Sequence, residues 1–297
     1  MRSCINLILL AGMNVMLANA QSLKPVSGDI IPFISSYEGT QVKNKTSLSL
    51  QTQENIQTGS HAGWKMTVHK KSVPNEPDAT DYELTWKLEK GHADDIVVGV
   101  DFAFRDWSAD NYVFVPAIVY DGNRFDVKNI GYPPYWYDKS EWRKDMPTTT
   151  TVQPTLGKKG SGAAKIELTT GNASTPLMAF YAPDKKKAWM VQTTQGNNNG
   201  NHGLTIAEND TKTESVFTIT SPAVREKRAV GAGFAASGDE AADYKQGDTV
   251  SIRFRVYTFP AKSLNDLYQR FLKARKGYNP VNRREDLPFS EAWKLVN

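Results

Sequence analysis

Apolar and polar residues alternate along much of this chain with the two-residue period of β-strands. Residues 82–89, YELTWKLE, place apolar side chains at alternate positions. They are Tyr82, Leu84, Trp86 and Leu88. A period of two places successive side chains on opposite faces of a sheet. The segment therefore predicts a strand with one buried face and one face in water.

Further strand-like segments follow at short intervals. They are rich in β-branched and aromatic residues and are bounded by residues that favour turns. They cover residues 96–104, 112–120, 164–170, 177–182, 188–194, 216–220 and 250–259. A Pro-Asp pair and three lysines join segment 177–182 to segment 188–194, which predicts a hairpin with a solvated turn.

One helix is predicted late in the chain, at residues 263–277. Its apolar residues recur at the spacing of a helical stripe. They are Leu264, Leu267, Tyr268, Phe271 and Leu272. Ser263 and Asp266 suit the helix start, and Gly277 is predicted to end the helix in a left-handed conformation. Residues 278–297 are predicted to be a linker followed by the start of an amphipathic helix.

Many strands followed by one helix predict an all-β fold. We expect a large antiparallel β-sandwich with one C-terminal helix and a truncated start of a helical region. The predicted division is a sandwich domain at residues 21–262, a connecting helix at 263–277, and a linker with the start of a helical domain at 278–297. A chain of 297 residues is long enough for one such sandwich.

The first twenty residues have the pattern of a secretory signal peptide. Arg2 precedes an apolar centre, and the small residues Ala18 and Ala20 precede a predicted cleavage site before Gln21. The apolar run is too short and too interrupted to predict a membrane span. We therefore expect residues 1–20 to be removed and the protein to be periplasmic or secreted.

Composition excludes several classes of protein. Hydrophobic residues make up 39% and charged residues 23%, which is typical of a globular protein rather than a disordered one. The net charge of +4 falls to +3 without Arg2, and the basic residues are scattered, so we expect no nucleic-acid partner. The only cysteine, Cys4, lies in the leader, which argues against a disulfide framework, a thiol nucleophile and a cysteine zinc site.

No motif of a known catalytic machinery is present. The sequence has no nucleophile elbow, phosphate-binding loop, dinucleotide fingerprint or HExxH zinc motif. Its histidines lie far apart, and a structural role is expected for each. They are His61, His69, His92 and His202. We therefore predict no cofactor, no metal site and no catalytic residue, while an unrecognised pair of glycosidase carboxylates stays open.

A polar stretch rich in rings, residues 120–142, follows the strand predicted at 112–120. It offers side chains that could stack on a sugar or hydrogen-bond its hydroxyls, or contact a partner domain. They are Asp121, Asn123, Arg124, Tyr135, Trp136 and Trp142. In the alternative interpretation the Asp-Gly-Asn sequence only turns the chain, Arg124 pairs with a nearby acid, and the rings cover another part of the same protein.

Four segments carry a resemblance to a known family. They are FVPAIVYDGNRF (114–125), YPP (132–134), LNDLYQRFLKARK (264–276) and LPFSEAWKL (287–295). Together they resemble the N-terminal β-supersandwich domain that precedes an (α/α)6-barrel, or six-hairpin, catalytic domain in exported bacterial glycoside hydrolases of polysaccharide-degrading Bacteroidetes.

The resemblance implies a non-catalytic sandwich in polysaccharide breakdown, since the catalytic acids of such enzymes belong to the barrel. The sandwich would pack on the barrel and border its cleft. This chain stops about where the first barrel helix would begin, so a separate catalytic domain is a possible partner. The alternative is a free-standing periplasmic carbohydrate-binding protein whose ligand is an oligosaccharide or polysaccharide. A complete enzyme with an unrecognised carboxylate pair is a third, weaker alternative.

Overall fold

Two antiparallel sheets enclose the hydrophobic core. The structure is a computed structural model, and it describes residues 28–58, 62–129, 148–149, 151–231 and 233–278. The signal peptide predicted at residues 1–20 and most of the linker predicted at 278–297 lie outside these ranges, so the domain division stays a prediction.

The strands are numbered in chain order. They are β1 (Asp29–Glu38), β2 (Gln41–Ser47), β3 (Gln53–Thr58), β4 (Ala62–Val73), β5 (Glu76–Lys90), β6 (His92–Phe104), β7 (Tyr112–Val115), β8 (Val119–Tyr120), β9 (Lys128–Asn129), β10 (Thr148–Thr149), β11 (Ala164–Thr169), β12 (Leu177–Ala182), β13 (Lys187–Thr193), β14 (Gly196–Asn197), β15 (Gly200–Asn201), β16 (Gly203–Glu208), β17 (Ser215–Ser221), β18 (Lys227–Val230), β19 (Gly233–Ala236), β20 (Ala242–Lys245) and β21 (Thr249–Pro260). One α-helix, α1, spans Leu264–Gly277, and 3-10 turns lie at Asp121–Asn123 and Thr170–Asn172.

The larger sheet has eight strands in the order β3-β4-β5-β21-β13-β12-β7-β8. The other sheet has the order β11-β16-β17-β6-β1-β2, and β20 also pairs with β6. All these pairs are antiparallel. Three two-stranded ribbons are described beside the sheets: β9 with β10, β14 with β15, and β18 with β19. The predicted all-β antiparallel sandwich is confirmed.

The core lies between the two sheets and is rich in aromatic rings. Phe102 and Phe104 of β6 face Trp189 of β13, with ring centroids 5.2 and 4.9 Å apart. The predicted alternation of β5 is confirmed, because Tyr82, Leu84, Trp86 and Leu88 are all buried in this core. Edge-to-face and tilted ring pairs of this kind stabilise a core beyond the area they bury.

Helix α1 covers the outer face of the eight-stranded sheet. Its apolar stripe, including Leu267 and Phe271, packs on Phe114 and Tyr257 of that sheet in a second hydrophobic cluster. Asp266 accepts a hydrogen bond of 3.1 Å from the backbone N–H of Ser263, as predicted for the helix start. One outer face of the sandwich is therefore covered by the helix.

Two details differ from the sequence-based expectation. Helix α1 ends at Gly277 as predicted, but Gly277 is not left-handed, and the next residue, Tyr278, is still right-handed and donates its N–H to the carbonyl of Ala274. The strand predicted at 112–120 is broken into β7 and β8. Pro116 has no N–H to donate, and Ala117 has a φ of 74°, so the chain turns between the two strands.

Candidate functional site

The predicted polar loop begins with a tight turn at Asp121–Asn123, directly after β8. Asp121, Gly122 and Asn123 have φ values of 54°, 62° and 51°, in the left-handed region. Gly, Asn and Asp are the residues that adopt this region most readily, which explains why the Asp-Gly-Asn sequence stands here. The backbone N–H of Leu156 donates to the carbonyl of Gly122 at 2.9 Å, so the turn is joined to a distant segment.

Asn123 is buried and holds that distant segment. Its side-chain oxygen accepts the N–H of Tyr120 at 3.1 Å, and its nitrogen donates to the carbonyls of Ile118 and Pro154 at 2.9 and 2.8 Å. The Thr155 hydroxyl donates a hydrogen bond of 2.6 Å to the Asn123 carbonyl. Asn123 therefore connects the loop after β8 to the segment at 154–156.

Arg124 is also buried and belongs to a charged cluster beneath the same segment. Its guanidinium donates to both carboxylate oxygens of Glu208 and, at 2.8 Å, to the carbonyl of Gly157. Glu208 is fully buried at its side chain and accepts further hydrogen bonds or ion pairs from Trp107 at 2.7 Å and Lys212 at 3.1 Å. A buried carboxylate with two cations and an indole N–H is well compensated.

The six predicted contact residues thus have different places. Asp121 is exposed, while Asn123 and Arg124 use their side chains inside the protein. The Asp-Gly-Asn turn and the ion pair of Arg124 with Glu208 agree with the alternative interpretation, in which this sequence turns the chain and Arg124 pairs with a nearby acid. Tyr135, Trp136 and Trp142 lie outside the described residues. Contact of any of the six with a sugar or a partner domain stays a prediction.

An open cavity of about 820 Å³ lies beside the segment that Asn123 and Arg124 hold. Residues 151–155 form one wall, and the β18–β19 hairpin forms another. Edge strand β11 contributes its outward side chains Lys165, Glu167 and Thr169, with Asn172 just beyond it. We call this the edge cavity. Its lining mixes carboxylates, amides, hydroxyls, basic groups and the exposed ring of Phe234.

Two carboxylates share one ammonium group in the edge cavity. Lys165 contacts Glu167 at 2.9 Å and Glu226 at 2.5 Å, and the N–H of Glu226 donates to Glu167 at 3.1 Å. Burial opposes the charge on Lys165, but the hydrogen bonds to Glu226 and Glu167 outweigh it and raise the pKa of the lysine. The three side chains therefore form a fixed charged cluster.

A smaller cavity of about 230 Å³ adjoins this cluster on the outer face of the seven-stranded sheet. Both cavities are lined by Lys165, Glu167 and Glu226. Burial, with a smaller contribution from nearby carboxylates that include Glu167, raises the pKa of Tyr37 in the smaller cavity to about 12. Its phenol is therefore a neutral hydrogen-bond donor at neutral pH.

Asp101 is held next to the same face by an ammonium and a hydroxyl. Lys45 lies 2.5 Å from its carboxylate, and Thr218 donates to it at 2.8 Å. The ring of Phe33 lies across Gly99, where an added Cβ would meet the ring at 2.3 Å. Glycine at position 99 thus allows an aromatic ring to lie flat on this polar face.

The residues of the edge cavity were not predicted as a site. The alternation of the predicted strand at 164–170 does place Lys165 and Glu167 on the face opposite Ile166 and Leu168, which are buried. No signal in the sequence connects them with Glu226, which is 59 positions from Glu167 in the hydrogen bond that joins the two.

His202 is one of the histidines for which the sequence predicts a structural role. His202 is buried, its Nε2 lies 3.3 Å from the Thr194 hydroxyl, and burial lowers its pKa to about 4. Among the described residues, no three His, Asp or Glu side chains come close enough to hold a metal ion. In the same ranges, no helix has the length and apolar character needed to cross a membrane.

No family model and no curated protein matches this sequence. Several solved structures are similar in shape. A putative aldose 1-epimerase from Klebsiella pneumoniae has 9% identity and a TM-score of 0.42, with 79% of this chain and 55% of that chain covered. A galactose mutarotase-like protein from Lactobacillus casei has 8% identity and a TM-score of 0.37, with 77% and 85% covered.

A third similar structure is an alpha-N-acetylgalactosaminidase from Bifidobacterium bifidum. It has 10% identity and a TM-score of 0.31, with 83% of this chain and 33% of that chain covered. This chain thus spans about half of the Klebsiella protein and a third of the Bifidobacterium enzyme. At these identities and TM-scores the likeness does not extend to activity, and the β-sandwich assignment depends on the strands themselves.

Proposed function

We propose that this chain is the non-catalytic, carbohydrate-binding β-sandwich of a secreted glycoside hydrolase that acts in polysaccharide breakdown. The observation that carries the proposal is the edge cavity, which is open, about 820 Å³ in volume and lined by several kinds of hydrogen-bonding side chain. Small-molecule sites commonly have volumes of roughly 300–1,000 Å³.

The chemistry of the edge cavity suits a sugar. A sugar ring presents hydroxyl groups around its edge and a less polar C–H face. Carboxylates such as Glu167 accept hydrogen bonds from hydroxyls, amides such as Asn172 and Gln153 both donate and accept, and an exposed ring such as Phe234 offers a flat apolar surface. All four side chains line the same cavity.

Binding without hydrolysis is the expected mode. Glycosidases use one carboxyl group as an acid and a second as a nucleophile or base, and each has a separate role. In the edge cavity, Glu167 and Glu226 instead contact the same ammonium group of Lys165. We infer that these carboxylates orient ligand hydroxyls and do not cleave a glycosidic bond.

The proposal also places this sandwich beside an (α/α)6 catalytic domain. The resemblance of residues 264–276 and 287–295 to the six-hairpin glycoside hydrolases supports that part. Helix α1 packs on the outer face of the eight-stranded sheet, while the edge cavity adjoins the other sheet. The Asp121 turn and the predicted rings Tyr135, Trp136 and Trp142 are proposed to face the sugar or the catalytic domain. Export is proposed from the leader.

A binding panel with a paired activity assay tests this function. The purified chain should retain one or more polysaccharides in affinity gels and release no reducing sugar from any of them. Glu167→Gln should weaken retention by about tenfold or more, since hydrogen bonds to a charged group are worth about 1.5–3 kcal/mol. Turnover that a single Asp or Glu substitution abolishes would instead identify a complete enzyme.

A matched control is Glu54→Gln. Glu54 also pairs with a lysine, Lys65, at 2.6 Å, but it lies on β3 in the eight-stranded sheet. Its substitution removes a comparable ion pair and should leave glycan retention unchanged. Equal losses in the two variants would show that the effect is general and not local to the edge cavity.

A free-standing carbohydrate-binding protein is the second candidate. One observation favours it: residues of this chain alone line the edge cavity and supply its hydrogen-bonding groups. Sequencing the DNA downstream of the coding region separates the two, because an adjoining barrel-coding region is expected only for the hydrolase. Absence of a barrel-coding region, with polysaccharide retained by this chain alone, would favour the free-standing form.

A further inference from the structure

The β18–β19 hairpin, described at residues 227–231 and 233–236, is an exposed arm that is held at its base and at its tip. At its base, Arg225 donates to both carboxylate oxygens of Asp239, at 2.7 and 2.9 Å. At its tip, the carbonyl of Gly231 accepts the N–H of Val152 at 3.0 Å. The hairpin therefore bridges from the end of the seven-stranded sheet to the opposite wall of the edge cavity.

The charges in the edge cavity do not balance. Among the described lining residues, the acids are Glu167 and Glu226. The basic residues are Lys165, Arg225, Lys227 and Arg228. Lys165 forms ion pairs with both glutamates, and Arg225 forms an ion pair with Asp239. The remaining two cations belong to the hairpin.

Lys227 and Arg228 are exposed on β18, and neither forms an ion pair or side-chain hydrogen bond with another described residue. Arg228 does lower the pKa of Asp239, after the larger effects of Asp239 burial and of Arg225, so it lies near that carboxylate without pairing with it. Phe234 on the paired strand β19 is 54% exposed and also lines the cavity. Ala229 pairs directly with Phe234, and strand side chains alternate between faces, so the ring shares one face of the ribbon with Lys227 while Arg228 lies on the other face. One basic group and an uncovered ring thus share a face, with a second basic group beside them.

We propose that the edge cavity binds an acidic glycan, with a uronate carboxylate or a sulfate ester held by Lys227 beside Phe234 and attracted also by the neighbouring charge of Arg228. This inference rests on the proposed carbohydrate-binding function and specifies its ligand class. The Lys227 ammonium attracts carboxylate and sulfate oxygens as a point charge, and the ring of Phe234 lies on the same face of the ribbon, where an adjoining sugar face can stack. Because the hairpin is anchored at base and tip, little ordering is needed on binding.

Matched glycans that differ only in charge test the proposal. Calorimetric titrations compare oligogalacturonate with its methyl ester, and chondroitin sulfate with unsulfated chondroitin. We expect one acidic member to bind at least about tenfold more tightly than its less charged form, a difference of about 1.4 kcal/mol. Raising the salt concentration should reduce this preference, since exposed charges are screened. The two pairs distinguish a carboxylate site from a sulfate site.

The double variant Lys227→Gln, Arg228→Gln should lose about three- to tenfold in affinity for the acidic glycan, as expected for the loss of one exposed ion pair and of a second positive charge nearby. Its affinity for the less charged form of the same glycan should change less. The control variant Lys273→Gln, Lys276→Gln removes the same charge from exposed positions of α1, which packs on the other sheet. It should bind the acidic glycan as the parent does.

Three results would overturn the proposal. Equal affinity for the two members of both pairs would leave carbohydrate binding intact and remove the preference for the more acidic glycan. Equal losses in the hairpin and α1 variants, or equally tight binding of a DNA duplex, would show general attraction between a basic protein and anions. Binding of none of the glycans would instead contradict the proposed function itself.

Discussion

Arg124 and Glu208 form a buried ion pair that joins the loop after β8 to the end of β16. The Arg124 and Glu208 side chains are only 8% and 0% exposed, and the guanidinium contacts both carboxylate oxygens. The same guanidinium donates to the carbonyl of Gly157, and Lys212 donates to that of Leu156 at 2.7 Å. The pair therefore supports the chain that continues from the wall of the edge cavity.

Removal of the guanidinium should destabilise the protein. Arg124→Met leaves the buried Glu208 carboxylate with Lys212 and Trp107 as its partners. We expect a loss of about 3 kcal/mol, at the low end of the range for broken buried pairs, because Lys212 still compensates the charge. The free energy of unfolding from a denaturant titration measures it.

Arg253→Met is the matched control. Arg253 pairs with Glu83 at 2.7 Å, but its side chain is 64% exposed. An exposed pair contributes at most about 1 kcal/mol, so this variant should unfold close to the parent midpoint. A loss for Arg124→Met no larger than for Arg253→Met would contradict the supporting role of the buried pair.

The Asp121 turn contains a structural residue, Asn123, and a candidate ligand contact, Asp121, whose substitutions should have different effects. Asn123→Ala loses the side-chain hydrogen bonds to Tyr120, Ile118 and Pro154 and leaves alanine at a left-handed φ. It should cost about 3 kcal/mol and weaken glycan binding. Asp121→Asn keeps a residue suited to that φ and should leave stability unchanged. Weaker glycan binding by Asp121→Asn at unchanged stability would support contact with the ligand.

Substitution of Trp136 and Trp142 tests whether their rings face a ligand or a partner domain. If Trp136 and Trp142 face a sugar or a partner domain, replacing either with alanine should change stability by no more than about 0.5 kcal/mol and weaken glycan binding. Trp189→Ala is the comparison, since Trp189 is buried in the core and its truncation should cost about 3–5 kcal/mol. A comparable loss of stability in Trp136→Ala would end the ligand-facing interpretation.

His202 should make stability depend on pH. Burial lowers its pKa to about 4 from the ordinary 6.5, so the unfolded chain binds a proton more readily than the folded one between these values. This contribution is fully present above about pH 6.5 and is lost as the pH falls toward 4, by up to about 1.4 kcal/mol per pH unit. His202→Gln should lose that part of the slope. A difference between parent and variant that stays constant with pH would contradict the assignment.

The sequence predicts strands well where apolar residues alternate with polar ones or form an uninterrupted run, as at residues 82–89 and 96–104. It did not predict β1 and β2, because Pro32 interrupts the first and the second, QVKNKTS, is polar and almost wholly exposed at the sheet edge. Such a strand is held by backbone pairing with its neighbour, which leaves no hydrophobic pattern. The predicted helix end at Gly277 is confirmed, but its predicted left-handed conformation is wrong, because right-handed backbone geometry continues into Tyr278.

The site was less predictable than the fold. The Asp-Gly-Asn sequence identified a turn, but the carboxylate that pairs with Arg124 lies 84 positions away in Glu208. Likewise Lys165 meets Glu226 at a separation of 61 positions through the order of strands in the sheet. Such pairs depend on which strands are neighbours, and local periodicity carries no information about that.

The location of bound glycan tests the central claim most directly. Backbone hydrogen exchange, measured by mass spectrometry with and without a polysaccharide that the protein retains in gels, reports which segments the ligand covers or orders. We predict slower exchange at residues 151–157 and 225–236, which form two walls of the edge cavity, and no change in α1. Slower exchange only in α1 or the eight-stranded sheet, with none in the cavity walls, would contradict the account.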